Sequence, residues 1–379
     1  MDGNQKKFGL YVFLSTFARN LIEVFIPIIL YKFGFSLKEV ILYYLLVNMF
    51  SLILSYPCVY ISSKYNNKVL GIIGIISFLL VQLLLNFIYK STVFLIIISL
   101  AYSLYRRGYW ISRRFYNLRV MRKKNISSTY SFISIINHVG VVFSTYIGSL
   151  LLDFVTVRIL TVISMFLFSI SLIPLYLLNF EHNEKKIKLE PFKIIKLIPK
   201  KNIFLFGTYE LINVIKFLFT MYLFLYVKDN YQTIGILNIF TNLSTIIFAH
   251  FYGKMINKEK NFLRLSILLV VVVYFFKLNS ISYILILISF LEGLFNKMYE
   301  ISIQKEFYLL SKNFEYNNYN LMYEITQNFF RTVMVTILYF FINDLRFMII
   351  VVLLFISIGS FLKFNNSLLV NYNQNNKET

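Results

Sequence analysis

"NFEHNEKKIKLEPFKIIKLIPKK", residues 179–201, is the one long hydrophilic interruption in a 379-residue chain that is otherwise rich in apolar runs. It lies midway, and on each side of it six hydrophobic segments can be drawn. These run at roughly 8–31, 39–63, 69–89, 92–112, 129–152 and 157–179, then at 203–227, 233–256, 262–276, 280–301, 319–342 and 346–363. A hydrocarbon core of ~30 Å asks about twenty apolar residues of a spanning helix. The expectation is an all-α polytopic membrane protein with twelve transmembrane helices in two six-helix bundles. The bundles would be residues 1–180 and 203–379, the second with a short tail, joined by a basic linker over 181–202.

Composition agrees. Hydrophobic residues make up 58% and charged residues 15%, against roughly 45–50% apolar in soluble domains. The net charge of +21 would suit a nucleic-acid binder, but no separate soluble domain exists to carry that function. Loop charges explain it instead. Counting span ends with their adjoining loops and placing both termini in the cytoplasm puts 25 basic residues inside, 7 outside and 6 within spans. That is a positive-inside pattern, with the basic loops lying against an anionic inner leaflet. The apolar stretch from Phe8 runs past Ile29 without a small-residue cleavage site, so it reads as a retained first span rather than a signal peptide. The protein is placed in the cell membrane, with membrane lipids as neighbours, as a monomer.

The segment joining the second and third spans is short and basic in each half, "YISSKYNNKVLGI" (60–72) and "YGKMINKEKNFLRL" (252–265), which suggests two parallel repeats. Six plus six spans with paired basic loops resemble the major facilitator superfamily of secondary transporters, over essentially residues 8–363. The family's loop signature is a glycine, an acid and basic residues. Here Ser62, Ser63, Lys64 and Lys68 keep the basic part, while Gly253, Lys254, Lys258 and Lys260 keep a glycine as well; the acid is missing from both. Its Gly-Pro antiporter signature falls on Gly140, Ser144, Thr145, Gly148 and Ser149, without the pair. The arginine-glycine motif of the fourth span is met by Arg106, Arg107 and Gly108 at a different spacing.

Charges inside spans cost roughly 2.5–3.5 kcal/mol each on insertion scales, so their positions carry information. Arg19 and Glu23 fall in span 1, Arg106 and Arg107 in span 4, Glu210 and Lys216 in span 7, and Glu292, Lys297 and Glu300 in span 10. Span 5 adds His138, and span 11 adds Glu324 and Arg331; spans 3, 6, 9 and 12 have none in their apolar cores. The resemblance implies a cavity lined by spans 1, 4, 7 and 10. Arg19, Lys216, Glu292 and Arg331 lie eleven to thirteen positions into their spans, near mid-membrane at ~1.5 Å per residue.

Arg19, Lys216, Arg107 and Arg106 are therefore the expected binders of an anionic group. Glu292, Glu210 and Glu23 are the expected proton carriers, since a carboxylate held in a low-dielectric cavity can take up and release a proton. Glu324 with Arg331, and Lys297 with Glu300, are read as gating or structural pairs. Arg19 and Glu23, spaced i, i+4, can also simply neutralise one another. In the stretch "YSLYRRGYWISRRFYNLRVMRKKN" (102–125), Arg113 and Arg114 read as interfacial anchors beside Trp110. Arg119, Arg122, Lys123 and Lys124 read as orientation signals.

The functional expectation is a secondary active transporter of a small organic, anionic solute, with protons as the coupling ion. Two alternatives stand beside it: a proton-coupled exporter of amphipathic compounds, and a transport-inactive sensor or scaffold on the same fold. No nucleotide-binding loop is present. Separate carboxylates, one cysteine and scattered histidines give no enzyme constellation, cofactor site or metal site.

Overall fold

The computed structural model describes residues 3–120, 126–178, 189–227, 230–256, 262–280, 282–311, 314–341 and 343–362. Among them the regular structure is helical. In chain order the helices are α1 (Gly3–Asn20), α2 (Ile26–Lys32), α3 (Leu37–Lys64), α4 (Asn67–Asn86), α5 (Thr92–Val120), α6 (Ile126–Phe154), α7 (Val157–Ile170) and α8 (Leu172–Tyr176). They continue as α9 (Pro191–Leu197), α10 (Lys200–Tyr222), α11 (Tyr231–Ile256), α12 (Leu263–Leu278), α13 (Ser282–Ser311), α14 (Tyr316–Phe341) and α15 (Leu345–Ser360). Lys258, Lys260, Arg122, Lys123 and Lys124, together with most of the linker and the C-terminal tail, lie outside the described residues.

Local chemistry sets the breaks. Pro27 has no N–H to give the carbonyl of Glu23, four residues back. The chain answers with a 3-10 turn, Glu23–Phe25, in which the Ile26 N–H satisfies that carbonyl, and α2 then begins with the proline in its first turn. Pro174 acts likewise on Ile170, where α7 ends. At the next turn Gly34 takes φ 92°, a left-handed conformation that suits glycine. Ser36 and Glu39 then close a capping box on α3, with Ser36 N–H donating to Glu39 Oε2 at 2.7 Å.

The expected segments fall on helical stretches, the first divided between α1, the 3-10 turn and α2, and the sixth between α7 and α8. Among the described residues, seven helices are both long and apolar enough to cross a membrane: Asn4–Lys32, Leu37–Lys64, Asn67–Asn86, Thr129–Phe154, Val157–Tyr176, Lys200–Tyr226 and Tyr231–Tyr252. α5 and α13 are as long, at 29 and 30 residues, and stay outside that set because their sequences carry the charges that build the interior. Both run further than hydropathy suggested, to Val120 and Ser311. Large apolar side chains such as Phe87, Phe154 and Phe341 remain exposed along the outside, a surface suited to lipid rather than water. This is a multi-pass membrane protein.

Pairings recur between the halves. α3 packs on α5 as α11 does on α13, α4 on α5 as α12 on α13, α1 on α6 as α10 on α14, and α4 on α7 as α12 on α15. The halves meet mainly through α6 with α11 and α3 with α14, two contacts that exchange with each other under the same repeat. One close crossing positions the site. At Gly74 of α4 an added Cβ would lie 2.6 Å from Tyr109 N, and at Gly108 it would lie 2.8 Å from Gly74 Cα. Gly108 is thus a helix-crossing residue, and the neighbouring arginines project away from the α4 contact.

Candidate functional site

The end of the molecule that carries Gly3 and the α3–α4 turn is called proximal here, and the end that carries Gly34 distal. At the proximal side Arg107 and Arg114 lie seven residues apart on α5, two turns along one face. Both guanidiniums bond the carboxylate of Glu324 on α14, whose side chain is fully buried. Asn328 donates to the Glu324 carbonyl at 2.7 Å and to Ser55 Oγ of α3 at 3.3 Å, while the Arg114 guanidinium lies over the Tyr323 ring. A small apolar cluster of Cys58, Val59, Leu70, Ile111 and Leu321 fills the space beside this junction.

Glu324 and Arg331, paired in the sequence reading, hold different partners. Seven residues put them on one face of α14, but two turns of rise, ~10 Å, separate their backbones. Arg331 instead stands 3.6 Å from Glu210 of α10 and donates to Asn328 Oδ1 at 3.0 Å; Asn213 donates to Glu210 at 2.6 Å. A polar chain therefore runs from Arg107 and Arg114 through Glu324, Asn328 and Arg331 to Glu210, crossing from α5 through α14 to α10.

Arg19 sits where α1 gives way to the 3-10 turn, with its Nε 2.8 Å from Glu23 Oε2. Its Nη1 donates to Tyr105 at 3.1 Å, and Tyr102 donates to Glu23 at 2.6 Å. Glu292 is closed in the same manner. Lys277 of α12 bonds it, Tyr274 donates to it at 2.8 Å, and all three side chains are buried. Lys277 lies one residue beyond the ninth hydrophobic segment, so spacing along the sequence does not pair it with Glu292. On α13 Lys297 pairs with Glu300 at 2.8 Å and donates to Ser134 of α6, while Tyr130 of α6 donates to Glu300 at 2.7 Å. His138 shares a 2.7 Å hydrogen bond with Asn242 of α11.

Arg106 and Lys216 differ from these. Arg106 is partly exposed and makes one long hydrogen bond, 3.3 Å, to Asn48 of α3. Lys216, in the distal half of α10, is exposed, yet it stands within electrostatic range of Glu210, His138 and Lys297, all interior groups. Arg106 is within range of the same Glu210. Arg19 and Lys216, at similar depths in their spans, share no hydrogen bond or ion pair among the described residues.

The distal side is closed by rings. Tyr44 of α3 stacks on Phe217 of α10 with centroids 4.0 Å apart and planes 7° from parallel. Phe25 meets Tyr231 edge-on at 5.6 Å, and Tyr31 meets Phe224 at 6.5 Å. Lys32 and Lys38 cover the outermost rings, lying over Tyr231 and Tyr339.

Arg113 and Arg114 are corrected from interfacial anchors to interior groups. Arg113 is 5% exposed and donates to Tyr109 and, across to α6, to Asn137. The continuation of α5 past residue 112 was the missed signal: it carries both arginines to side chains of α14 and α6, Arg114 to Glu324 and Arg113 to Asn137.

Among the described residues no group of three or more His, Cys, Asp or Glu stands together as a metal site would. No curated protein matches the chain. Among solved structures it is similar to a bacterial homologue of the iron transporter ferroportin in an outward-facing state, with a TM-score of 0.70 and 11% identity, covering 98% of this chain and 100% of that one. The same homologue with soaked iron gives a TM-score of 0.69 at 11% identity, covering 95% and 98%. Likeness at that identity is a likeness of fold. The family model for the Major Facilitator Superfamily matches residues 8–296, well over half of the sequence, and the chain belongs to that superfamily.

Proposed function

We propose that this protein is a secondary active transporter that moves a small organic anion across the cell membrane by alternating access. Twelve spans form two six-helix bundles, residues 1–180 and 203–379, joined by the basic linker 181–202, with both termini and the proximal end cytoplasmic. The pairings repeated between the halves and the basic proximal loops support this arrangement.

One observation carries the substrate class. Arg106 is partly exposed and Lys216 exposed, whereas Arg19, Arg107, Lys297 and Arg331 each stand at a carboxylate. An anion entering between α5 and α10 meets two cations with spare donors, and charge-assisted hydrogen bonds to a carboxylate or phosphate are the strong ones. Glu210, within range of both cations and of Arg331, is placed as the proton carrier: its protonation would release Arg331 and sharpen the pull on the anion. Glu23 and Glu292 become fixed counter-charges of Arg19 and Lys277. Glu324 and Glu300 hold the proximal closure.

The iron of the ferroportin homologue is not carried over, since the likeness is one of fold. The test is uptake of labelled organic acids and phosphate esters into proteoliposomes with an imposed proton gradient. Arg106→Gln and Lys216→Gln are each expected to lower uptake at least tenfold, the loss of about one charge-assisted bond. Full uptake in both variants would refute the assignment.

A further inference from the structure

Arg113 has no acid. It is 5% exposed, and its Nη1 donates to Tyr109 Oη at 3.0 Å and its Nη2 to Asn137 Oδ1 at 2.9 Å, both neutral acceptors. Its Nε is buried without a hydrogen-bond partner. Among the described residues no carboxylate pairs with it. The nearby charges do not offset it: Lys297, within electrostatic range, is another cation, and Glu300 beside it is already bonded by that lysine. Arg19, which shares the Tyr109 and Trp110 rings with Arg113, is balanced by Glu23. The positive charge of Arg113 is left unmatched by any of them.

Ion burial costs several kcal/mol unless the charge is paired, and ring contacts and neutral acceptors recover only part of that. A guanidinium also presents a planar fork matched to carboxylate and phosphate oxygens. Arg113 lies seven residues, two turns, proximal to Arg106 on one face of α5, with the partly exposed Trp110 between them. We propose that Arg113, with Asn137 and Thr16, forms a second oxyanion subsite that takes the carboxylate or phosphate of the transported solute after it leaves Arg106 and Lys216. The proposal rests on the transport reading above. Asn137 is the switchable partner: its Oδ1 accepts from both Arg113 and Thr16, at 2.9 and 2.8 Å, so both donors turn toward one point.

The test uses purified full-length protein in phosphate-free detergent buffer, titrated with inorganic phosphate and with acetate at constant ionic strength. Trp110 is the single tryptophan of the sequence and touches Arg113, so its emission reads occupancy directly. A saturable change is expected in the wild type, retained in Arg113→Lys and lost in Arg113→Gln. No response to either anion in the wild type, or an undiminished one in Arg113→Gln, overturns the subsite.

Asn137→Asp guards against loss of fold in the glutamine variant, because it supplies a tethered carboxylate where the anion would sit. Its melting temperature is expected to rise by roughly 2 °C or more, and its response to phosphate and acetate to vanish. A lower melting temperature or a wild-type response contradicts the proposal. Proteoliposome uptake on the same preparations separates the two readings. Uptake without an Arg113-dependent emission change defeats the subsite alone. An Arg113-dependent change without uptake of any tested anion defeats the transport reading and leaves an anion site.

Discussion

The two ends of the molecule are shut by different physics. At the proximal end a single buried carboxylate, Glu324, holds two arginines from α5, and the Lys297–Glu300 ion pair of α13 hydrogen-bonds Ser134 and Tyr130 of α6. At the distal end the contacts are faces and edges of rings, Tyr44 on Phe217 and Phe25 on Tyr231. An ionic closure is directional and nearly all-or-none, because removing one partner strands the other in a low-dielectric interior. Stacked rings lose contact gradually as they slide, each pair adding about 0.5–1.5 kcal/mol beyond burial. The difference teaches that opening the proximal side needs replacement charge or protonation, whereas opening the distal side needs only modest displacement.

The largest expected effect breaks the ionic end. Glu324→Gln leaves two buried guanidiniums facing a neutral amide and should cost about 3–5 kcal/mol of closed-state stability, read as a drop in melting temperature and faster hydrogen exchange in α5 and α14. Wild-type exchange in those helices would show that the closure does not depend on this acid. Phe217→Leu tests the other end. It keeps an apolar side chain, removes the stack on Tyr44 and should cost about 1 kcal/mol, with exchange rising at α2 and the distal part of α10 while α14 is unchanged. Equal losses in the two variants would erase the contrast drawn here. The smallest change is expected at the rim: Lys38→Gln removes the cation over Tyr339 and should cost about 0.5 kcal/mol or less, detectable only by difference scanning.

Helix positions were legible because apolar runs interrupted by basic loops leave few other arrangements for a chain in lipid. The interior charges were legible as candidates for the same reason. Partnerships were not. Sequence spacing offers neighbours on one helix, so Glu324 was matched to Arg331, seven residues on, whereas its cations come from α5, more than two hundred positions earlier. Arg113 and Arg114 lay hidden for a related cause. A hydropathy reading ends a span where arginines accumulate, but α5 continues, with Arg114 bonded to Glu324 of α14 and Arg113 donating to Asn137 of α6 inside the protein. Lys277 was lost to a segment edge in the same way. The Arg19–Glu23 and Lys297–Glu300 contacts, local in sequence, were the pairs that spacing anticipated with the partners they have.

The sole cysteine gives the proximal closure a clock. Cys58 is 2% exposed, packed with Leu70, Ile111 and Leu321 beside the Glu324 junction. A maleimide can reach that thiol only when α3, α5 and α14 part, so the labelling rate of the unmodified protein measures how often they do. Where reclosing outruns the reagent, the rate scales with the open population, and an anion that favours the open state should speed it in proportion. Parting of α3, α5 and α14 can then be timed on the natural sequence, with no residue exchanged to see it.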